Sequence, residues 1–249
     1  MNIAVCIKQT PDTTTRVKVG PGGTGIDEAG INYIINPYDE FAIEEALQLT
    51  EKNGGEVTLL SMGPASIEKT IREGLAMGAH KAIRLNVDKT PDDPTVTAKA
   101  LAETLKNGQY DLIFFGKQAV DDDHGQMASL VGELLDLPTV TVVLELHVDG
   151  GSATAKREVE GGLETIRFSL PAVVSAQRNL NEPRYRSLKG IMQAKKKTIE
   201  VVEPALAEAH LVVEKLTPPP AKGEGKIFRN GAQDAAEVVR LLREEAKVI

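Results

Sequence analysis

Gly116–Met127 reads GKQAVDDDHGQM, and the residues on either side of it decide the fold. On its N-terminal side, Tyr110-Asp111-Leu112-Ile113-Phe114-Phe115 is a short apolar run of the kind that forms a buried strand in a parallel sheet. On its C-terminal side, Met127, Leu130, Val131 and Leu134 recur at helical spacing and fall on one face. Such a strand-to-helix turn presents backbone N–H groups beside the positive end of a helix dipole, a setting suited to phosphate. Open α/β sheets bind ligands at this carboxyl edge of their strands. Asp121, Asp122 and Asp123 have a second reading, as the ordinary acidic cap and first turn of a helix. The segment matches neither the phosphate loop of nucleoside triphosphatases nor the GxGxxG dinucleotide fingerprint, so its pattern alone leaves both readings open.

The chain of 249 residues is long enough to bury a full core, as one large domain or as a domain with an appendage. A net charge of −7, with both signs interspersed, argues against nucleic acid, where a basic face supplies most of the affinity. No apolar run approaches the ~18 residues of a membrane span, and Met1-Asn2-Ile3 enters a strand without the basic and apolar regions of a signal peptide. Cys6 is the single cysteine, which rules out an intramolecular disulfide, and the four histidines are scattered without metal-ligand spacing. The expectation is an intracellular globular protein that is not membrane-embedded and holds no metal.

Outward from the opening segment, strands and helices alternate. Ile3–Ile7 reads as a buried first strand. Asn36 then Pro37 makes a helix start, a capping side chain followed by proline at the first helical position. Ala42, Ile43, Ala46, Leu47 and Leu49 give that helix its buried face. Val57–Ser61 is the next strand, Ile67, Ile71 and Leu75 mark a second helix ending near Gly78, and Ala82–Leu85 is a short strand. Asp93-Pro94 starts a third helix through Ala98, Leu101 and Leu105. This alternation predicts a mainly parallel, doubly wound α/β sheet with right-handed crossovers. After Pro138 the chain turns β-rich: Thr139–Val148 and Thr154–Val159 flank the hairpin turn Asp149-Gly150-Gly151, and Leu163–Leu170 and Ala172–Ala176 follow. These segments are read as an edge or antiparallel extension of the same sheet.

The α/β domain is bounded at residues 1–203, and residues 204–249 form an extended arm. Pro218-Pro219-Pro220 is a stiff spacer and Gly223 and Gly225 a flexible one, before a helix in which Ala235, Val238, Val239 and Leu242 share a face. A helix that short is marginal alone in water, so it is expected to dock on its own domain or on a partner subunit. Within the domain, Arg178–Lys197 (RNLNEPRYRSLKGIMQAKKK) is read as a loop that embeds Leu188, Ile191 and Met192 among basic residues. That combination suits docking on an acidic protein surface, or Leu188 and Ile191 pin the loop to its own core.

Five motifs occur in one order along the chain: Asn36-Pro37, Gly63-Pro64 through Ala76-Met77-Gly78-Ala79, Gly116–Asp123, Glu160-Gly161-Gly162-Leu163-Glu164-Thr165, and Leu180-Asn181-Glu182-Pro183-Arg184-Tyr185. Together they resemble the β subunit of electron-transfer flavoproteins, from Met1 to about Val202; the arm matches only in kind. The resemblance implies a Rossmann-like, adenine nucleotide-binding fold and an electron carrier rather than an enzyme. It implies a heterodimer with an α subunit carrying the redox-active FAD, this chain supplying one wall of the flavin site and binding AMP. Electrons would arrive from flavin dehydrogenases such as acyl-CoA dehydrogenases and leave to a quinone oxidoreductase. The C-terminal helix would dock on the α subunit, and the location would be cytoplasmic.

Carried over by position, nucleotide contacts fall at Cys6, at Asn36, Pro37, Tyr38 and Asp39, at Met62, and along Gly116, Lys117, Gln118, Ala119, Val120, Asp121, Asp122, Asp123, His124, Gly125, Gln126 and Met127. Leu188 is the leucine anchor of a dehydrogenase-recognition loop that also holds Arg184, Tyr185, Ile191 and Met192. Glu158 sits where a carboxylate pairs with an arginine of the α subunit. In these roles Cys6 offers backbone groups to an adenine edge, Met62 packs on the ring, and the N–H groups of His124, Gly125 and Gln126 receive phosphate oxygens. One of the three aspartates accepts from a ribose hydroxyl while another caps the helix.

One departure from the family pattern stands out. AMP-binding members carry an amide side chain and a hydroxyl where this chain has Gly125 and Met127. A bifurcating branch holds a second FAD in the site, takes NADH as donor, and reads Asp-Gly-Asp where this chain has Asp122 in the middle. The Asp122 side chain narrows the room for a dinucleotide, which favours AMP. Two other classes are weighed: an ATP-using adenylating enzyme, against which no pyrophosphate loop is found, and a stand-alone nucleotide sensor.

Overall fold

The computed structural model describes residues 1–221, 223 and 225–249. β1 (Asn2–Cys6) leads through a small antiparallel pair, β2 (Gln9–Pro11) and β3 (Tyr33–Ile35), into α1 (Pro37–Asn53). β4 (Glu56–Gly63), α2 (Glu68–Met77), β5 (Lys81–Asn86), α3 (Pro94–Lys106), β6 (Leu112–Gly116) and α4 (Met127–Leu135) continue the alternation. β7 (Thr139–Asp149), β8 (Ser152–Val159), β9 (Gly162–Ser169) and β10 (Ala172–Ala176) follow, then α5 (Leu188–Lys196), β11 (Ile199–Val202) and, at the end of the arm, α6 (Ala235–Glu244).

Among the described residues, nine strands form one sheet in the order β11-β5-β4-β1-β6-β10-β7-β8-β9. It is parallel from β11 to β7 and antiparallel across β7, β8 and β9. The fold is therefore α/β, with a large, mainly parallel central sheet flanked by helices. Period-two alternation divides the core. Ile3, Val5, Leu59 and Phe114 face α1, α2 and α5, where Ile43, Leu47, Ile71, Leu75 and Ala194 pack. Ala4, Leu60, Ile113 and Val173 face α3 and α4, where Leu101, Leu105 and Val131 pack.

The β-rich stretch differs from its expected place at the edge. β10 runs between β6 and β7, parallel to both, and every residue of Ala172–Ala176 is buried. A continuous apolar run belongs in a strand covered on both faces, and only β8 and β9 extend outward as antiparallel strands. β7 turns from one role to the other at a bulge: the register with β10 slips, Val142 takes a left-handed φ of 61°, and its N–H donates to Ser175 Oγ at 2.9 Å.

Three further elements depart from the sequence reading. α4 buries Ala128, Val131 and Gly132 and leaves Leu134 39% exposed. The helix is turned because Gly132 lies against Thr139, where any side chain would collide with the threonine hydroxyl. The basic stretch after Pro183 was expected as a loop, but contains α5. Ser187 Oγ caps this helix by accepting from Gly190 N–H at 3.0 Å. The missing side chain of Gly190 lets the helix rest against the Ala76 carbonyl on α2, and Arg72 on α2 donates to the carbonyls of Ala194 and Lys197 at the helix end. β11 was not anticipated and adds a strand beyond β5.

Among the described residues, the arm is hydrogen-bonded to the domain at two points. Asp93 caps α3 with one carboxylate oxygen, accepting from Thr95 N–H at 2.8 Å. Its other oxygen accepts from the amides of His210 and Leu211 at 2.7 and 3.2 Å. Leu216 N–H donates to Gly23 O at 2.7 Å. α6 buries none of its residues, and Val239 and Leu242 remain exposed on it.

Candidate functional site

Chain order reverses between β1 and β6, because β4 and β5 lie on one side of β1 and β6 on the other. A cleft opens at the carboxyl edge of the sheet at this point, the position where open α/β folds bind ligands. It takes in about 900 Å³ of space, the open solvent at its mouth included. Cys6, Leu60, Met62, Leu101 and Phe115 make an apolar floor, while Lys8, Asp92, Lys117, Gln118, Asp122, His124 and Gln126 bring polar groups.

The buried carboxylate of Asp39 joins the three segments that frame the cleft. Its Oδ2 accepts from Lys8 N–H at 2.7 Å, just beyond β1, and its Oδ1 accepts from Gly116 N–H at 3.1 Å, the last residue of β6. Asn36 Nδ2, at the start of α1, donates to the same Oδ1 at 2.8 Å. Burial pushes the Asp39 carboxyl up to about 7, against the pull of these N–H donors and the Lys8 ammonium. Gly116 has no side chain because one there would collide with Asp39 and Tyr38 in the first turn of α1.

Asn36 stands at the helix start, as expected, but its side chain does not cap the helix. Its Nδ2 also donates to Gln118 O at 2.9 Å, and its Oδ1 accepts from Val120 N–H at 3.2 Å, so it ties α1 to the loop after β6. The aspartates of that loop have separate partners. Asp121 and Asp122 each accept from Lys8 Nζ at 2.8 Å, and Asp123 accepts from Gln118 Nε2 at 2.6 Å. Burial pulls the Lys8 ammonium down, but the two carboxylates outweigh it and hold the group above its ordinary value. Burial likewise pushes Asp122 up, yet Lys8 and the His124 amide leave it below its ordinary range.

Asp122 Oδ1 accepts from His124 N–H at 3.1 Å, so this amide is occupied rather than offered to a ligand. No aspartate caps α4, which begins without a side-chain cap. Among the described residues, the amides of Gly125, Gln126, Met127, Ala128 and Ser129 have no acceptor, while Leu130 N–H already closes the first turn on Gln126 O at 3.0 Å; the open amides make this a natural seat for an anion. Gly125 holds a φ of 61°, a left-handed conformation that favours glycine. Cys6 is no nucleophile: burial, and then the nearby Asp39 charge, push its thiol far up.

A family model for the electron transfer flavoprotein domain matches residues 23–207. The chain is 42% identical to electron transfer flavoprotein subunit beta of Bacillus subtilis across the full length of both. It is 42% identical to the subunit of the same name from Syntrophomonas wolfei over 90% of this chain and 88% of that one, and 40% identical to the human one over 82% of each. The chain belongs to the electron transfer flavoprotein family. The family is one of electron-transfer flavoproteins, and these relatives are named as its beta subunits. Among the described residues, no helix is long and apolar enough to cross a membrane.

Of the expected nucleotide contacts, Cys6, Asn36, Asp39, Met62, Gly116, Lys117, Gln118, Ala119, Asp122, His124, Gly125, Gln126 and Met127 line the cleft. Pro37, Tyr38, Val120, Asp121 and Asp123 do not; they build the surrounding junction. The sequence reading missed Lys8 and the wall contributed by Thr90, Pro91, Asp92, Pro94 and Thr97. Both sit just past strand ends, after β1 and β5, and the strand-end rule would have found them once the strand order was known.

The residues expected at partner surfaces divide into two kinds. Tyr185, Leu188 and Met192 are 99%, 82% and 65% exposed, with Ile191 beside them. Arg184 is instead turned inward: its Nε donates to Glu44 at 2.7 Å and its Nη1 to Glu51 at 2.6 Å, both on α1. These contacts fasten the loop to the domain and leave the Arg184 side chain half-buried. Glu158 is exposed on β8 and accepts from Gln177 Nε2 at 2.9 Å.

The raised Asp39 pKa fixes the sign of a pH effect. Its stabilising contribution is complete below the ordinary carboxylate range and falls away as pH rises through about 7. Asp39→Asn turns an amide N–H toward existing donors and is expected to destabilise the fold by about 1–3 kcal/mol. Chemical denaturation is expected to give a gap between wild type and variant that narrows from about pH 5 to pH 8. A constant gap would place an ionised Asp39 in the folded state throughout.

Proposed function

We propose that this chain is the nucleotide-binding subunit of a heterodimeric electron carrier, its cleft holding AMP and its outer surface forming one wall of the FAD site on the α subunit. The observation that carries the reading is the uncapped start of α4, with the amides of Gly125 and Gln126, in a cleft whose floor is apolar. Phosphate fits the amides, and adenine fits the surface of Met62, Leu101 and Phe115. The Asp122 side chain, held by Lys8 and by His124 N–H, narrows the route a pyrophosphate would take. A bifurcating carrier with a second FAD and NADH as donor is the alternative, favoured by the lack of side-chain donors at Gly125 and Met127.

FAD, when bound with the α subunit, supplies the redox chemistry. This chain excludes water from it, fixes the nucleotide and presents a docking loop. Exposed Tyr185, Leu188 and Met192, among Arg186, Lys189, Lys195 and Lys196, suit an acidic flavin dehydrogenase surface. Electrons then pass to a quinone oxidoreductase. Glu158 pairs with an arginine of the α subunit, and the exposed apolar face of α6 docks there. The assembly works in the cytoplasm.

Experiments on the bound nucleotide and on the docking loop test this reading. The isolated chain is expected to be colourless, and heat-released ligand from the heterodimer to contain AMP and FAD in equal amounts, with no NADH-dependent bifurcation. Two FAD and no AMP per heterodimer would favour the bifurcating branch. Leu188→Ala is expected to weaken dehydrogenase docking by ~2 kcal/mol or more, read as a raised KM in electron transfer. Flavin content and Tm are expected to stay near wild type. A large fall in Tm would instead assign Leu188 to the core.

A further inference from the structure

We propose that Lys8 is the positioning residue that lets this acidic cleft accept a phosphate-bearing nucleotide in preference to the neutral nucleoside; this rests on the AMP reading above. The mouth presents a difficulty for any anion. Asp92 and Asp122 line the cleft and Asp121 and Asp123 flank Asp122 on its loop; Asp92 is paired with Lys89 at 3.1 Å and Lys117 adds one cation to the lining, which leaves the Asp121–Asp123 run to be offset. Carboxylates at that range repel a phosphate, and the repulsion grows where water is partly excluded.

Lys8 answers this with a fixed ammonium. Its Nζ lies 2.8 Å from both Asp121 and Asp122, and its side chain is only 39% exposed. The backbone that carries it is pinned on both sides: its N–H donates to Asp39 and its carbonyl accepts from Asn36 N–H at 2.9 Å. The charge therefore stays at the cleft wall, which Lys8 itself lines. An ammonium has three N–H donors. Two serve Asp121 and Asp122, and the third has no acceptor among the described residues.

The same contact shapes the anion seat. With one oxygen on Lys8, Asp122 turns the other to the His124 amide, and the chain then passes through the left-handed Gly125 to the uncapped start of α4. Lys8 thus cancels charge that would repel the phosphate, and holds the turn that exposes the amides.

The test is calorimetric titration of AMP and of adenosine into the nucleotide-stripped heterodimer of the full chain. Lys8→Met is expected to lower AMP affinity about 10–100-fold while adenosine affinity stays near wild type, because only the phosphate needs the cation. Lys8→Arg is expected to keep most of the preference for AMP, and serves as the folded control. Equal losses for AMP and adenosine in Lys8→Met would give Lys8 a merely structural role, and an unchanged AMP affinity would give it none; either overturns the proposal. A wild type that binds neither nucleotide would overturn the reading of the cleft itself.

Discussion

A single buried carboxylate organises the carboxyl edge of this sheet. Asp39 receives N–H groups from Lys8, two residues past β1, from the last residue of β6 and from the start of α1. Parallel strands diverge beyond their ladders, and nothing in the ladder itself fixes the chain that leaves them. Here the exits of β1 and β6 are held to one side chain, so the cleft between them has a defined width. The N–H donors of Asp39 offset only part of the cost of burying its charge, as the raised carboxyl pKa shows, and removing the carboxylate would leave those buried donors unpaired.

α1 extends that order to the opposite end of the helix. Its start contributes Asn36, just before the first turn, and Asp39 to the cleft, and its middle and last turns contribute Glu44, Glu45 and Glu51 to the segment after β10. Glu44 and Glu51 hold Arg184, and Glu45 accepts from Asn181 Nδ2 at 2.9 Å. Arg186 pairs with Glu73 of α2 at 2.7 Å. Tyr185 and Leu188 are thus exposed on a segment fastened on both sides. A preformed docking loop loses less entropy on binding than a mobile one. One helix positions both the cleft proposed to hold a nucleotide and the exposed segment proposed to dock a partner.

Much of this was legible in the sequence where the signal is local. Helical spacing in Ala42–Leu49 and Ile67–Leu75, the Asp93-Pro94 cap and the Asp149-Gly150-Gly151 turn each depend on neighbours a few residues away, and each lies in its expected element. What escaped depends on distant partners. β10 is a buried strand in either location, and only its pairing with β6 and β7 places it inside the sheet. α5 hid within a basic stretch because Gly190, a poor helix residue, is there for contact with Ala76 rather than for helix propensity. The aspartates after β6 admitted a capping role until Lys8 and Gln118 were seen beside them. Lys8 had no signal of its own: its meaning comes from a loop more than 100 residues away in sequence.

The central claim is that the open amides at the start of α4 seat a phosphate. Hydrogen exchange at Gly125, Gln126 and the first turn of α4, measured in the heterodimer with AMP and with adenosine, tests it most directly. AMP is expected to slow exchange at these amides while adenosine leaves them fast. Equal protection by both, or by neither, would contradict the claim.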